Sequence, residues 1–136
     1  PQDTSSAASD VYKRQGHRCI IGSFKEDELP AGYDIISLVR ILYDHRDETI
    51  RDLLGKAYGA LDKGGRLIVS EPMLGADRPT LWGDVYFAMY TLAMSTGKTR
   101  SPDQVSEFIK DAGFSNVTIH KSARPFITTV IEARKT

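Results

Sequence analysis

A strand, a helix and a second strand follow one another in the middle of the chain, and this order limits the fold most strongly. YDIISLVRIL (Tyr33–Leu42) is apolar without alternation, which is typical of a strand buried in a parallel sheet. A helix is predicted next, capped by Asp47 and ended by the glycines of KGG (63–65). Its apolar stripe consists of Ile50, Leu53, Leu54, Ala57 and Leu61. RLIVSE (Arg66–Glu71) is typical of another buried strand, so the sequence predicts a βαβ crossover with parallel strands.

Two further helices are predicted, and they differ in how their polar residues are distributed. TLWGDVYFAMYTLAMSTG (Thr80–Gly97) is apolar almost all round. Such a helix must be buried, or must line a ligand cavity or a subunit interface. SPDQVSEFIKDAG (Ser101–Gly113) has one apolar face, and Ser101 and Gln104 form the pattern of a capping box. This second helix is therefore predicted from local signals alone.

Three short β-prone runs complete the predicted elements. RCII (Arg18–Ile21) precedes the crossover, whereas NVTIH (Asn116–His120) and FITTVIEA (Phe126–Ala133) lie near the end of the chain. The short connection between the last two runs predicts an antiparallel pair.

Composition excludes several classes of partner. The 136 residues suffice for one domain or a piece of a larger one, and 18 basic residues balance 18 acidic ones. The sequence has no basic stripe of the kind that would indicate binding to nucleic acid. Cys19 is the only cysteine, and the three histidines lack metal-ligand spacing, so neither a disulfide framework nor a metal site is predicted. No apolar run approaches the roughly 20 residues that cross a bilayer. A cytoplasmic enzyme or binding domain is predicted.

The first fifteen residues, PQDTSSAASDVYKRQ, differ from the rest of the chain. They are small and polar without a helix or strand period, which predicts a disordered tail that makes no packed contacts. SSAASDVYKRQ also resembles a peptide translated from sequencing-adapter DNA. We therefore expect the native sequence to begin near Gly16 and take residues 16–136 as the domain.

The stretch LVRILYDHRDE (Leu38–Glu48) ends a predicted buried strand in polar and ionisable side chains. One interpretation is a strand that runs into a polar turn and a capped helix. The other is an active-site edge, because open α/β sheets bind ligands at the carboxyl ends of their strands.

Three longer phrases carry a resemblance to a known family. They are GSFKEDELPAGYDIISLVRILYDH, ALDKGGRLIVSEPM and GKTRSPDQVSEFIKDAGF. Together they resemble the C-terminal half of a class I S-adenosylmethionine-dependent O-methyltransferase, over roughly Gly16–Lys135. Within that family, these phrases resemble first the bacterial carotenoid-pathway members, the demethylspheroidene or hydroxyneurosporene O-methyltransferases. Bacteriochlorophyll-pathway methyltransferases come second.

The resemblance implies an α/β fold, a partial Rossmann-like methyltransferase sheet with flanking helices. The chain would supply strands 3 to 7 of a seven-stranded sheet of order 3-2-1-4-5-7-6. The family's glycine-rich cofactor loop and its N-terminal dimerisation domain are not found in this sequence. We therefore expect a truncated C-terminal half, inactive alone, of a parent that is a homodimer and uses S-adenosyl-L-methionine.

The sheet order gives this expectation a test. We expect Ile35–Val39 beside Leu67–Ser70, then Thr128–Glu132, then Val117–His120, with residues 128–132 antiparallel to both neighbours. A parallel arrangement of 128–132 and 67–70 would favour an NAD(P)-type α/β oxidoreductase.

The resemblance implies cofactor contacts on one side of the sheet. The family places an acid and a bulky apolar residue against the adenine, and these positions fall on Ser23 and Phe24. Serine can still hydrogen-bond adenine, more weakly than a carboxylate; a plain turn with Phe24 in the core is the alternative. Val39 and Arg40 are also expected at the cofactor.

The resemblance further implies a catalytic group. Tyr43 falls where many plant members have a general-base histidine, Asp44 is retained, and Glu71 falls at one of the acids that flank the histidine. A phenol with a pKa near 10 is a poor base at neutral pH. It can nevertheless orient a hydroxyl by hydrogen bonding. The second flanking acid falls near Thr99, which cannot ionise. His45 is expected to be a loop or surface residue.

A substrate surface is expected on the apolar helix. Tyr86, Tyr90 and Met94 are spaced by four residues, and with Thr99 they are expected to line a pocket for a small, apolar, hydroxylated molecule such as a carotenoid. Ordinary core packing is the alternative. A methyltransferase-like protein without catalysis also stays open, because Tyr43 and Thr99 replace the family's histidine and acid.

Overall fold

The computed structural model describes residues 18, 20–75, 81–120, 122–123 and 127–136. The tail 1–15, predicted to be disordered, lies outside these residues. The elements are β1 (Tyr33–Val39), a 3-10 helix (Leu42–Asp44), α1 (Asp47–Ala60), β2 (Leu61–Glu71), a π-helical turn (Leu81–Val85), α2 (Tyr86–Met94), α3 (Pro102–Asp111), β3 (Ser115–His120) and β4 (Thr129–Arg134).

The four strands form one mixed sheet in the order β1-β2-β4-β3. β1 and β2 run parallel, with Leu38 opposite Val69, and α1 connects them as the predicted crossover. β4 runs antiparallel to both β2 and β3. The expected order and directions are confirmed, and the antiparallel β4 does not fit the oxidoreductase interpretation.

Several boundaries differ from the sequence prediction. α1 begins at Asp47, so Arg46 is the N-cap and Asp47 is not. The helix already ends at Ala60, because β2 begins at Leu61 and its glycines lie inside the strand. Gly64 has a φ of 85° and donates its N–H to the Lys135 carbonyl. A left-handed residue is easiest for glycine, and here it shapes a strand rather than ending a helix.

β1 is not the fully buried strand that its composition predicts. Tyr33, Ile35 and Val39 are exposed by 47%, 41% and 56%. These residues alternate with the more buried Ile36 and Leu38, so they point to the face of the sheet opposite the core. The predicted strand Arg18–Ile21 is wrong for the three of its residues that the structure describes, since none of them is in a strand. Ile20 and Ile21 are exposed.

The core lies between the sheet and helices α1 and α3. Its fully buried residues come from both layers and include Ile50, Leu54, Leu67, Val69, Val105, Ile109 and Ile131. α3 begins as predicted, since the Ser101 side chain accepts from the Gln104 N–H and the Gln104 side chain accepts from the Ser101 N–H. After α3, Gly113 has a φ of 103°.

α2 is the apolar helix, and most of its surface is uncovered. Of the side chains described between residues 81 and 94, only Phe87 and Thr91 are buried. The exposed large apolar residues of this segment are Leu81, Val85, Tyr86, Met89, Leu92 and Met94. None of the helices within the described ranges is both long and apolar enough to cross a membrane.

Candidate functional site

The candidate site lies where β1 and β2 end side by side. β1 ends at Val39, and Arg40 turns the backbone away with a φ of 55°. The 3-10 helix follows, and with His45 it forms a segment that we call the Tyr43 turn (residues 42–45). β2 ends at Glu71. Because parallel strands have their carboxyl ends at one edge, Tyr43 and Glu71 belong to the same edge, and both are buried.

The Tyr43 ring lies among aromatic and cationic groups. It meets Phe87 edge-on, with centroids 6.1 Å apart, and Tyr90 at a tilt, with centroids 5.9 Å apart. The Arg40 guanidinium lies 5.8 Å from the Tyr43 centroid. A hydrogen bond with Tyr43 is the main cause that raises the pKa of the Tyr90 hydroxyl. The Tyr43 phenol therefore contacts α2, the helix expected to bind substrate.

The Glu71 carboxylate holds the backbone of the same turn from the end of β2. It accepts a hydrogen bond from the Leu42 N–H at 2.9 Å, and its side chain is only 1% exposed. Burial raises the pKa of Glu71 to about 7, although the N–H groups of Leu42 and Tyr43 and the charge of Arg100 favour its ionised form. Glu71 thus contacts the backbone that carries Tyr43.

Two polar atoms near this edge have no hydrogen-bond partner within the described residues. They are Oδ1 of Asp44 and Oγ1 of Thr99, and both atoms are buried. Buried polar atoms are nearly always paired, with protein, water or a ligand. These two atoms are therefore candidates to contact a group from outside the chain.

The residues expected at the cofactor separate into two places. Ser23 and Phe24 line a cleft of about 780 Å³ together with Tyr33 and Ser37 of β1. Phe24 is half-buried and its ring meets His45 edge-on, with centroids 5.2 Å apart.

Val39 and Arg40 are not among the residues that line this cleft. Val39 is exposed at the end of β1, and Arg40 lies over the rings of Tyr43 and Phe87. His45 lies in the loop as expected but is half-buried, and burial is the main cause that lowers its pKa.

The residues expected at the substrate also divide. Tyr90 contacts Tyr43, whereas Tyr86 and Met94 are exposed by 59% and 50%. Tyr86 contacts Phe87 edge-on instead. In a helix of 3.6 residues per turn, positions eight residues apart differ by about 80° around the axis. The three side chains therefore do not share one narrow face.

Arg100 is the residue that sequence reasoning missed. It is 2% exposed, and its guanidinium donates to the Asp47 carboxylate, which lowers the pKa of Asp47. Gly97 was missed too: a Cβ there would collide with the Tyr43 carbonyl oxygen. Both residues lie in TGKTR (96–100), between the apolar helix and the capping box, and this short segment was the signal that could have drawn attention to them. No local pattern shows which carbonyls an arginine will reach.

Metal-ligating side chains do not converge in the part of the chain that the structure describes. No three of its His, Cys, Asp or Glu residues are placed to hold an ion together.

The sheet has two parallel strands, β1 and β2, joined by a crossover helix, and an antiparallel strand, β4, beside them. Polar side chains lie where the parallel strands end. This arrangement defines a mixed α/β fold of the methyltransferase class. The sequence model of the O-methyltransferase domain matches residues 4–115, and the chain belongs to this family. The match begins inside the segment 1–15, whose adapter origin stays a prediction.

The relatives agree with this assignment. The chain is 52% identical over 114 residues to demethylspheroidene O-methyltransferase of Rhodobacter capsulatus. This match covers 84% of this chain and 29% of the relative. The chain is 46% identical over 112 residues to the protein of the same name from Cereibacter sphaeroides, over 82% of this chain and 30% of the relative. The chain therefore spans about 30% of the length of these curated relatives.

The fold recurs in a solved structure. Human N-acetylserotonin methyltransferase in complex with SAM superposes with a TM-score of 0.75 and 27% identity. The match covers 92% of this chain and 37% of the human one.

Proposed function

We propose that this chain is part of an S-adenosyl-L-methionine-dependent O-methyltransferase that methylates a hydroxyl group of a small, apolar molecule such as a hydroxylated carotenoid. One observation carries the proposal: the Tyr43 phenol is held at the carboxyl edge of the sheet, against the aromatic side chains of an otherwise exposed apolar helix. The two demethylspheroidene O-methyltransferases among the relatives support the carotenoid class.

The cofactor side of the proposal rests on Ser23, Phe24, Val39 and Arg40. The cleft beside Ser23 and Phe24 has a volume in the range of small-molecule sites, roughly 300–1,000 Å³. It suits the adenine end of the cofactor, and Phe24 offers an aromatic edge there. When bound, the cofactor supplies a methyl group activated on a sulfonium. The residues present therefore fit one end of S-adenosyl-L-methionine, while the glycine-rich loop would come from a part of the parent outside this sequence.

Tyr43 is proposed to orient the substrate hydroxyl. Methyl transfer is an in-line displacement, so holding the acceptor oxygen in line can provide much of the rate. Glu71 is buried and already accepts a backbone N–H, which suits it to hold the Tyr43 turn. The unpaired Oδ1 of Asp44 and Oγ1 of Thr99 are proposed to contact the substrate or a bound water.

The substrate pocket is proposed to include α2. Tyr90 reaches the Tyr43 phenol, and Tyr86 and Met94 present apolar surface on either side. We also propose that residues 16–136 are the C-terminal part of the catalytic domain of a longer protein and that the parent is a homodimer. A cytoplasmic location is proposed because a single cysteine provides no disulfide framework.

The direct experiment uses the full-length gene product that contains this chain. Methyl transfer to a hydroxylated carotenoid in detergent is measured by mass spectrometry for the wild type and for Tyr43→Phe. One lost positioning hydrogen bond is worth on the order of 1 kcal/mol, and more if its partner is left buried. We therefore expect a roughly ten- to hundredfold lower rate with nearly unchanged cofactor affinity.

Tyr58→Phe is the matched control. Tyr58 packs edge-on against Phe114, away from the Tyr43 turn, so its hydroxyl should not affect the rate. Equal rates for Tyr43→Phe and the wild type would refute the orienting role.

Cofactor binding by the 136-residue chain gives a second test. The chain offers only the adenine end of the site, so calorimetry with millimolar S-adenosyl-L-methionine should detect no binding. Tight binding would mean that the chain already holds the whole cofactor site.

A methyltransferase-like protein without catalysis is the second candidate. It is favoured by Glu71, whose carboxylate is engaged by the backbone, and by Thr99 at the position of an acid. A full-length protein that binds the cofactor but transfers no methyl group to any hydroxylated carotenoid would support this candidate over the first.

A further inference from the structure

The loop between α2 and α3 is bound along the whole Tyr43 turn. We call residues 95–100 the clamp loop. All four backbone carbonyls of the turn accept hydrogen bonds from it. The donors are Arg100 Nη1 to Leu42 (3.2 Å), Lys98 N to Tyr43 (2.9 Å), Thr96 Oγ1 to Asp44 (3.0 Å) and Arg100 Nη2 to His45 (2.9 Å). The clamp loop therefore fixes the acceptor side of the turn.

The donor side of the same turn is satisfied by other groups. Glu71 accepts the Leu42 N–H, while the Asp44 and His45 N–H groups bond within the 3-10 helix. The turn is thus held from two directions, by Glu71 and by the clamp loop. Tyr43 has little freedom to move unless one of these supports is lost.

Arg100 contributes more to this arrangement than any other residue of the clamp loop. Its guanidinium reaches both ends of the turn, at Leu42 and His45, and also donates to the Lys98 carbonyl. The Asp47 carboxylate binds the same guanidinium and fixes its plane. Arginine presents five N–H donors in a rigid fork, whereas lysine has a single ammonium that cannot reach both ends at once.

Gly97 shows how close the contact is. A Cβ at this position would meet the Tyr43 carbonyl oxygen and would lie 3.1 Å from the Asp44 Cα. The clamp loop therefore approaches the turn as closely as its backbone allows.

We propose that Arg100 is a positioning residue for methyl transfer: it places the Tyr43 phenol by holding the carbonyls of Leu42 and His45. This inference rests on the proposed function, in which Tyr43 orients the substrate hydroxyl. Arg100 itself does not contact substrate in this scheme. Its main effect on the rate passes through Tyr43.

The experiment compares Arg100→Lys with Arg51→Lys in the full-length gene product. Arg51 is a close match, because it also stacks on Phe108 and pairs with an aspartate, but it is half-exposed and pairs with Asp111. Misplacement of a reacting group by about 1 Å can cost roughly a hundredfold in rate. We expect Arg100→Lys to lower kcat about ten- to hundredfold with little change in KM, and Arg51→Lys to leave both constants unchanged.

A double-mutant cycle separates positioning from general loss of structure. If Arg100 acts through Tyr43, Arg100→Lys in a Tyr43→Phe background should lower kcat by less than about threefold, because coupled residues do not add. Equal losses in both backgrounds would overturn the proposal. Thr96→Val removes one exposed donor and is the milder variant; it should lower kcat in the same direction by a few-fold, and no change would count against the clamp loop.

Hydrogen exchange gives a readout that does not require activity. Arg100→Lys should speed exchange at the Lys98 amide and in the Tyr43 turn by about tenfold or more, and should leave α3 unchanged. Unchanged exchange in the turn would overturn the proposal even if kcat falls. If the wild type transfers no methyl group, the proposed function fails, and exchange still decides whether Arg100 holds the turn.

Discussion

Helices α2 and α3 follow each other in the chain and have 9 and 10 residues, yet they relate to the rest of the molecule in opposite ways. α3 places Val105 and Ile109 fully in the core. α2 contributes none of the described residues of that core, and its main contact is with the Tyr43 turn. One helix stabilises the fold, whereas the other keeps its apolar surface exposed beside the candidate site.

The difference begins in the sequences of the two helices. α3 alternates polar and apolar residues at helical spacing and begins with a capping box, so it can fold and bury one face on the sheet. α2 has no side-chain cap, and its apolar residues surround the axis. Such a helix cannot bury all of them against one sheet, and the surplus is exposed.

The largest expected effect comes from removing a buried side chain of α3. Ile109→Ala in α3 removes a fully buried side chain and should lower the free energy of unfolding by about 2–5 kcal/mol. Leu92→Ala in α2 removes a side chain that is 72% exposed and should change it by less than about 0.5 kcal/mol. Chemical denaturation of the two variants measures both values. Similar losses would show that α2 supports the core after all.

The second prediction concerns Glu71, which holds the Tyr43 turn that α2 contacts. The pKa of Glu71 is about 7 in the folded state, against 4.5 as the reference value. The folded state therefore holds this proton more tightly than the unfolded chain does. The resulting stabilisation is complete below about pH 4.5 and is lost as the pH rises through about 7.

Glu71→Gln cannot titrate, so the difference in unfolding free energy between wild type and variant isolates this contribution. A shift of this size corresponds to about 3 kcal/mol at most, at about 1.4 kcal/mol per pH unit. Wild type should lose that much relative to the variant between about pH 4.5 and about pH 7.5. A difference that does not depend on pH would show that Glu71 is ionised normally in the fold.

The smallest effect tests the cap that only α3 possesses. Ser101→Ala removes the side-chain acceptor for the Gln104 N–H and should lower the free energy of unfolding by about 1 kcal/mol. Ser101→Asp, which keeps an acceptor, is the control and should restore most of it. If alanine costs nothing, α3 is held by its packing alone.

Much of the fold could be predicted because its signals are local or repeat at fixed spacing. The capping box of α3 spans four residues, and the stripe of α1 repeats along one helix face. The adjacency of Tyr43 and Glu71 followed from the rule that parallel strands end at one edge. The order of the strands followed from the family resemblance.

The remaining features depend on contacts between distant parts of the chain. Arg100 reaches carbonyls more than 50 positions away, and no sequence pattern records which ones. The residues next to Gly64 predict the end of a helix. The N–H of Gly64 instead donates a hydrogen bond to Lys135, which lies far along the chain. The exposure of β1 depends on whether another layer covers the second face of the sheet, which its own composition does not reveal.

The left-handed backbone of Arg40 has a consequence for evolution and engineering. A non-glycine residue with a φ of 55° is strained by roughly 1–2 kcal/mol, which glycine would relieve. Selection for thermal stability alone would therefore favour glycine at position 40, and the cation over the Tyr43 ring would be lost with the side chain. At this position the most stable sequence and the most active one are expected to differ, so a stabilised variant should be designed with Arg40 kept fixed.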